Sequence, residues 1–367
     1  MLEEDIISEA KGFLQLCMEA ESNNRSEALE DLKFAGGDQW PVEIQNSRTL
    51  EARPCLTINK IDSYVRQVVN QIRQQRPRIK VHGVNSESDE KVAEIITGIT
   101  RHIEVNSDAD QAYDNAANSA VRMGWGYWRV THDYISPDSF EQELYINSVV
   151  NPFTVYFDPN SVMPDGSDAE RCLITEVIPK DKFRKMYPDA DIDETQFTNR
   201  GTGDSNALWV TKEDIRIAEY FYTKRVKDNL LLLSTGEAVY ESEFEEVDGI
   251  DVIDTRESWR KEIRWAKVTG SEVLEERIWP GKYIPVVPVY GEELVIEAKR
   301  KRYGLVRNAK DPQRMFNFWQ TALTESIALA PKAKWLLAEG QDEGHESEWA
   351  MANVKAFPVL RYKQTDT

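Results

Sequence analysis

Asp108-Ala-Asp-Gln-Ala-Tyr-Asp-Asn-Ala-Ala-Asn-Ser-Ala-Val-Arg-Met-Gly124-Trp-Gly126-Tyr-Trp-Arg-Val-Thr131 is the stretch where the chain changes period. Up to Met123, Ala112, Ala116, Ala117 and Ala120 recur at helical steps, giving a helix opened by Asp108 a small-residue face for close packing. From Trp125 onward rings and aliphatics alternate, the signature of a strand. Gly124 and Gly126 therefore mark a structural junction. The helix is expected to end there, with at least one glycine at positive φ or pressed against another backbone. The cluster Trp125, Tyr127, Trp128, flanked by Arg122 and Arg129, reads as alternate rings packed inward rather than as a base-stacking platform.

Toward the N-terminus the signal is helical. Ile6, Ile7, Ala10, Phe13, Leu14 and Cys17 share one face of residues 2–35, which end at Gly36-Gly37. Asp38-Gln-Trp-Pro41 reads as a turn. A further helix carries Ile61, Tyr64, Val65, Val68, Val69 and Ile72 and stops before Pro77. Another, capped by Ser86-x-x-Asp89, carries Val92, Ile95, Ile96, Ile99 and Ile103. From Gly124 to about residue 290 the pattern is mainly β, with strands expected at 144–147, 154–157, 172–177, 215–224, 229–233, 263–268 and 284–289. Short helices interrupt it near Lys180–Met186 and Tyr240–Val247. Helices followed by hairpin-like strands indicate an α+β fold with antiparallel sheets. Asp311 as N-cap and Pro312 at the first turn then predict a helix over 312–330, ended by Pro331, with the apolar stripe Phe316, Trp319, Leu323, Ile327 and Ala330. The stripe is expected to pack on a neighbouring element of the same chain or of another subunit. Strand-like pieces at 334–337 and 354–360 flank an acidic segment, Glu339–Glu348.

Composition narrows the function. The 367 residues hold 45 Lys+Arg against 64 Asp+Glu, a net charge of −19, the wrong sign for a protein that clamps DNA by neutralising phosphates. Cys17, Cys55 and Cys172 are odd in number and widely spaced, which suits a reducing cytoplasm and forms no CxxC pattern. No apolar run approaches the length of a membrane span, and the acidic, amphipathic start does not read as a signal peptide.

Catalytic signals are missing. Asp189-x-Asp191-x-Asp193 opens like a calcium loop, but Glu194 stands where the loop needs Gly and Arg200 where it needs Glu. Gly201-Thr-Gly-Asp-Ser-Asn206 lacks the GK[ST] ending of a phosphate loop. His82, His102, His132 and His345 stand alone, no GxSxG occurs, and no cofactor or metal site is expected. The outlier is the segment Lys299–Lys334, with nine basic residues and two acids. It reads either as a solvated or internally paired face, or as a contact for phosphate or an acidic partner.

Several stretches, taken in order, resemble the portal proteins of short-tailed double-stranded DNA phages. They are Glu27–Phe34 with Asp38-Gln-Trp40, Leu56-Thr-Ile-Asn59, Arg66-Gln-Val-Val-Asn70-Gln-Ile-Arg and Ala117–Val130. They continue through Asn151-Pro-Phe, Phe157-Asp-Pro159, Ser167–Cys172, Ile284–Gly291, Tyr303–Asn317 and Ala330-Pro-Lys-Ala-Lys334. The resemblance implies a wing-like region over 1–300, made of helices at 2–123 and mainly β structure at 124–290. It further implies a stem-like helix at 301–331 and a partial clip-like region at 332–367, in which the sequence ends. It implies no enzyme but a subunit of a ring, a dodecamer in the family, at one capsid vertex of the virion, assembled in the host cytoplasm. The ring would conduct double-stranded DNA without tight binding in packaging and ejection, and would dock terminase, tail adaptor, capsid and scaffolding proteins, with no membrane. Arg307, Lys310 and Arg314 become candidates for the channel, and Glu339, Asp342, Glu343, Glu346 and Glu348 for partner docking on the clip. Two other functions remain consistent with the residues: a metal-dependent nuclease or hydrolase using some of the many carboxylates, and an adaptor that binds proteins only.

Overall fold

The computed structural model describes residues 3–51, 53–76, 79–83, 87–190, 214–244, 251–297, 299–329, 337–352 and 359–364. The Ser86 cap, Asp191, Asp193, the 201–206 loop, Pro331, Lys332, Lys334 and most of the strand-like 354–360 lie outside these. The chain falls into two units, one of Met1–Leu32 with Ser63–Arg307, the other of Lys33–Asp62 with Asn308–Thr367.

The helical half comprises α1 (Glu3–Ala35), α2 (Val42–Leu50), α3 (Ile61–Gln74), α4 (Glu87–Asn106) and α5 (Ala109–Met123). The β half follows as β1 (Trp125–Tyr134), β2 (Gln142–Ser148), β3 (Val155–Phe157), β4 (Arg171–Pro179), α6 (Lys180–Met186), β5 (Asp214–Leu233), β6 (Ala238–Tyr240), β7 (Val252–Val268), β8 (Val273–Trp279), β9 (Val286–Tyr290), β10 (Glu292–Ile296) and β11 (Lys299–Tyr303). Then come α7 (Leu305–Leu329) and α8 (Glu346–Ala350). The fold is α+β, and its described strand pairings are antiparallel.

Period-two alternation builds the first unit. A six-stranded sheet, β3-β4-β5-β7-β8 with β6 beside β5, buries both faces of its inner part. Tyr156, Leu173, Tyr220, Tyr222 and Ala266 meet Ile6, Ala10, Phe13 and Cys17 of α1. Their sequence neighbours Val155, Phe157, Cys172 and Phe221, with Ile263 three residues before Ala266, point the other way, onto Trp125, Tyr127 and Val286 of the three-stranded sheet β2-β1-β9. Trp128 and Ile146, on that sheet's far side, pack with Ala109 and Ala112 of α5. Trp125 and Tyr127 are 4% and 1% exposed, so the aromatic cluster is core. A buried cation ties these layers: Arg25 pairs with Glu21 at 2.9 Å, donates to the Phe153 carbonyl at 2.8 Å and lies 4.2 Å over the Tyr156 ring.

The junction is tight. Gly124 has φ +110, and a Cβ there would lie 2.6 Å from the Tyr303 backbone. One at Gly126 would collide with the carbonyl of Ala116, which is why the small-residue face of α5 can lie so close to β1.

Four readings need correction. α2, β8 and the β10–β11 hairpin carry short or charged patterns that periodicity passes over. Residues 215–224 and 229–233 form one twenty-residue strand. On α4, Val92, Ile95, Ile96 and Ile99 are exposed and only Ala93 is buried among its described side chains. Most important, α7 begins at Leu305, not at Asp311-Pro312. Val306 anchors its first turn at 0% exposed. Pro312 sits inside, where it has no N–H for the Asn308 carbonyl and its ring crowds that carbonyl.

Candidate functional site

α7 and the extended segment that precedes α3 form the most specific arrangement in the second unit. Gln313, Asn317 and Thr321 recur every four residues, and all three are buried, at 6%, 1% and 1% exposed. Each accepts a backbone N–H from the 56–60 segment. Thr321 Oγ1 takes that of Leu56 at 3.2 Å, Asn317 Oδ1 that of Ile58 at 3.0 Å, and Gln313 Oε1 that of Lys60 at 3.2 Å. Gln313 Nε2 returns a bond to the Ile58 carbonyl at 2.8 Å, and Asn317 Nδ2 donates to Gln39 Oε1 at 2.6 Å. A helix face thus pairs with an extended chain as a strand would, through side-chain amides and a hydroxyl. Ion pairs from Arg48 and Arg53 to Glu325 close one end, the Arg53 pair at 3.0 Å. The hydrogen bonds from Arg53, helped by the charge of Arg48, hold the Glu325 carboxyl below the usual range against a smaller effect of burial.

The expected apolar stripe lies elsewhere on the helix. Trp319, Leu323 and Ile327 are 61%, 54% and 65% exposed, and Met315 and Phe318 are about half exposed. They do not pack within this unit as core. The 313–317–321 polar series was visible in the sequence, but a search for apolar periodicity selects the stripe beside it.

Three members of the basic segment, Arg302, Arg307 and Arg314, are answered by the chain's own acids. In the first unit Arg302 bonds Glu293 at 2.9 Å and stacks 3.9 Å over the Tyr290 ring. Arg300 donates to the Ser161 carbonyl, and Arg307 grips the fully buried Asp31 at 2.8 Å and also Glu27. Burial works against the Arg307 charge, but those carboxylates outweigh it and raise its pKa. Lys299 and Lys301 are exposed. In the second unit Lys310 is buried and has a partner, while Arg314 is exposed, 3.3 Å from Asp311 and 5.2 Å over the Phe34 ring.

The acidic candidates are largely at the surface. Glu339, Glu343 and Glu346 are exposed, Asp342 and Glu348 partly so. Glu343 pairs with Lys363, and Glu346 accepts the Gly344 N–H at 3.2 Å. Among the described residues no group of three or more His, Cys, Asp or Glu is arranged to hold a metal ion. No described helix is long and apolar enough to cross a membrane.

Comparison with known proteins finds related chains. The family described as phage P22-like portal protein matches residues 11–367. A portal protein of Acyrthosiphon pisum secondary endosymbiont phage 1 is 25% identical over 352 residues, covering 90% of this chain and 48% of that protein. The chain thus spans about half the length of the curated relative it matches.

Proposed function

This chain belongs to the phage P22-like portal protein family, whose members are structural proteins rather than enzymes, and from that premise we propose that it serves as part of a portal ring subunit. The ring occupies one capsid vertex and passes double-stranded DNA during packaging and ejection. The family match over nearly the whole chain carries this reading, and the outward apolar face of α7 supports it. Burying Trp319, Leu323 and Ile327 against a second copy would recover roughly 1.5–3 kcal/mol per side chain, which a monomer forgoes. Net acidity suits a conduit, because each phosphate contact adds salt-sensitive affinity that would brake sliding DNA.

Within that reading Arg314 is the channel candidate with its charge at the surface. Arg307 is instead paired with Asp31 and Glu27, and Lys310 is buried. Glu339, Asp342, Glu343, Glu346 and Glu348 form an acidic surface for basic residues of the packaging motor or tail adaptors, raising the rate of docking. The test uses the full-length protein in electron micrographs and sedimentation. Wild type is expected as closed rings, and Trp319→Ala with Leu323→Asp as dissociated subunits that keep wild-type helix content. Rings unaffected by the double variant would remove α7 from the subunit contact. Failure of the full-length wild type to form rings would reject the portal reading.

A further inference from the structure

A pocket opens where β9 leaves β1. β9 runs beside β1 only as far as Arg129↔Val286, after which Val130 donates to the Pro285 carbonyl at 2.8 Å. β2 follows the other side of β1 out to Tyr134. Between the freed edge of β1 and the inner face of β5, β7 and β8 lies a cavity of about 170 Å³, lined by Phe221, Trp265, Trp279, Pro285, Val286 and His132. Its walls are set in place. The Trp279 ring stacks on His132 at 5.4 Å and meets Phe221 edge-on at 6.3 Å. It also lies so near Gly281 that a Cβ there would come within 2.5 Å of the indole nitrogen. The charge inside is already paired: Glu219 accepts from Arg129 at 3.0 Å and from Trp265 Nε1 at 3.1 Å. Such a hole suits a neutral ring, and an apolar cavity of ~150 Å³ is enough to hold benzene.

A matching knob stands in the same unit. Phe140, on the turn between β1 and β2, is 98% exposed, more than any other large apolar side chain among the described residues. The turn is tied to itself. Ser139 N–H donates to the Ser136 carbonyl at 3.0 Å, Ser136 Oγ to Asp138 at 2.7 Å, and Glu141 N–H to Ser139 Oγ at 3.0 Å. A turn ordered in advance gives up little freedom on docking, as an aromatic anchor residue requires. Its own pocket is out of reach. Phe140 stands four residues beyond Leu144, the partner of His132, which is ~13 Å along the strand. The β2 arm also lies across β1 from β9.

We propose that Phe140 of one copy inserts its ring into this pocket of a neighbouring copy. The inference rests on the ring reading: knob and hole are unlike patches, so they join copies head to tail, as a closed ring of identical subunits requires. Charge agrees with the fit. Exposed Asp138 and Glu141 flank the knob, while exposed Arg277 at the mouth and Lys282, in the loop from Trp279 to Pro285, flank the hole. Glu141 is set against Arg277 and Asp138 against Lys282. Arg277 already bonds its own Glu275 at 3.0 Å and keeps further donors, and Lys282 has no ion pair among the described residues.

The test is disulfide trapping in the full-length protein carrying Cys55→Ser; Cys17 and Cys172 are fully buried. With Glu141→Cys and Arg277→Cys together, mild oxidation is expected to give a ladder of covalent multimers, and either substitution alone to give none. Adding Phe140→Ala should cut the yield about tenfold, whereas Phe140→Leu should keep most of it; neither change touches the core. A ladder unaffected by Phe140→Ala would overturn the insertion. A cross-link confined to monomers would overturn it in favour of the chain's own pocket, and a single dimer band in favour of reciprocal two-fold exchange. Rings in the micrographs without a ladder would overturn the inference and leave the ring reading standing. Absence of both rings and ladder would overturn both.

Discussion

Replacing Asn317 by leucine tests the pairing of α7 with the 56–60 segment directly. The side chains are close in size and branching, and Asn317 is 1% exposed, so shape is nearly kept while polarity is lost. The asparagine accepts the Ile58 N–H at 3.0 Å and a Gln313 N–H at 2.9 Å, and donates to Gln39 at 2.6 Å. Gln313 retains the Ile58 carbonyl, so the change orphans two groups, the Ile58 N–H and the Gln39 carbonyl. A buried group left unpaired costs about 1–3 kcal/mol, which gives about 2–6 kcal/mol in all. Leucine recovers about 1–2 kcal/mol by burying its apolar carbons. A net loss of about 3 kcal/mol follows, equivalent to roughly a hundredfold in the opening equilibrium. Hydrogen exchange reads this at the Leu56, Ile58 and Lys60 amides, which should speed up together while those of β4 and β5 keep their protection. Unchanged exchange at Ile58, or a variant as stable to urea as wild type, would refute the strand-like pairing.

Glu325→Gln removes the charge that holds Arg48 and Arg53. The carboxyl is depressed in the folded chain, so its contribution is fully present above the ordinary glutamate value of 4.5 and is lost as pH falls through the lower folded value. Thermal unfolding should show wild type above the variant at neutral pH, the two converging below pH 4.5; a constant gap across that range would rule the ion pairs out as its source. Gly124→Ala combines a left-handed φ of +110 with a Cβ 2.6 Å from the Tyr303 backbone, and should cost well over 3 kcal/mol. Gly236→Ala, at φ +84 with open space around it, should cost about 1 kcal/mol; equal losses in denaturant titrations would show that crowding at the junction plays no part.

What was legible in the sequence follows the physics of burial. The alternating residues of β3, β4 and β5 and the helical stripe of α1 are surrounded on every side within one chain, so their periodicity reports their environment. The glycine junction was legible because a small-residue helix face and two glycines together have few other uses. α4 and α7 share a limit: an apolar stripe records that something covers it, without saying whether that is the same chain. The internal contact of α7 is made by Gln313, Asn317 and Thr321, residue types that a search for core passes over. Arg307 misled in the converse way. Its basic neighbourhood suggested a polyanion, whereas Asp31 and Glu27, some 280 positions earlier, answer its charge.

The inversion on α7 has a consequence for assembly. A helix that met its own chain through Trp319, Leu323 and Ile327 would have nothing apolar left to offer a neighbour. Holding the 56–60 segment through amide groups instead satisfies buried backbone donors that otherwise need a strand, and it leaves the larger side chains free. Directional bonds fix the segment's position, because each of the three acceptors meets one particular N–H. In the proposed ring the non-directional hydrophobic effect is thereby left for contacts that form on association. In a ring each copy must find the same neighbour geometry many times over. Polar pairing inside each subunit with apolar faces outside lets a subunit reach one defined shape before its exposed faces meet.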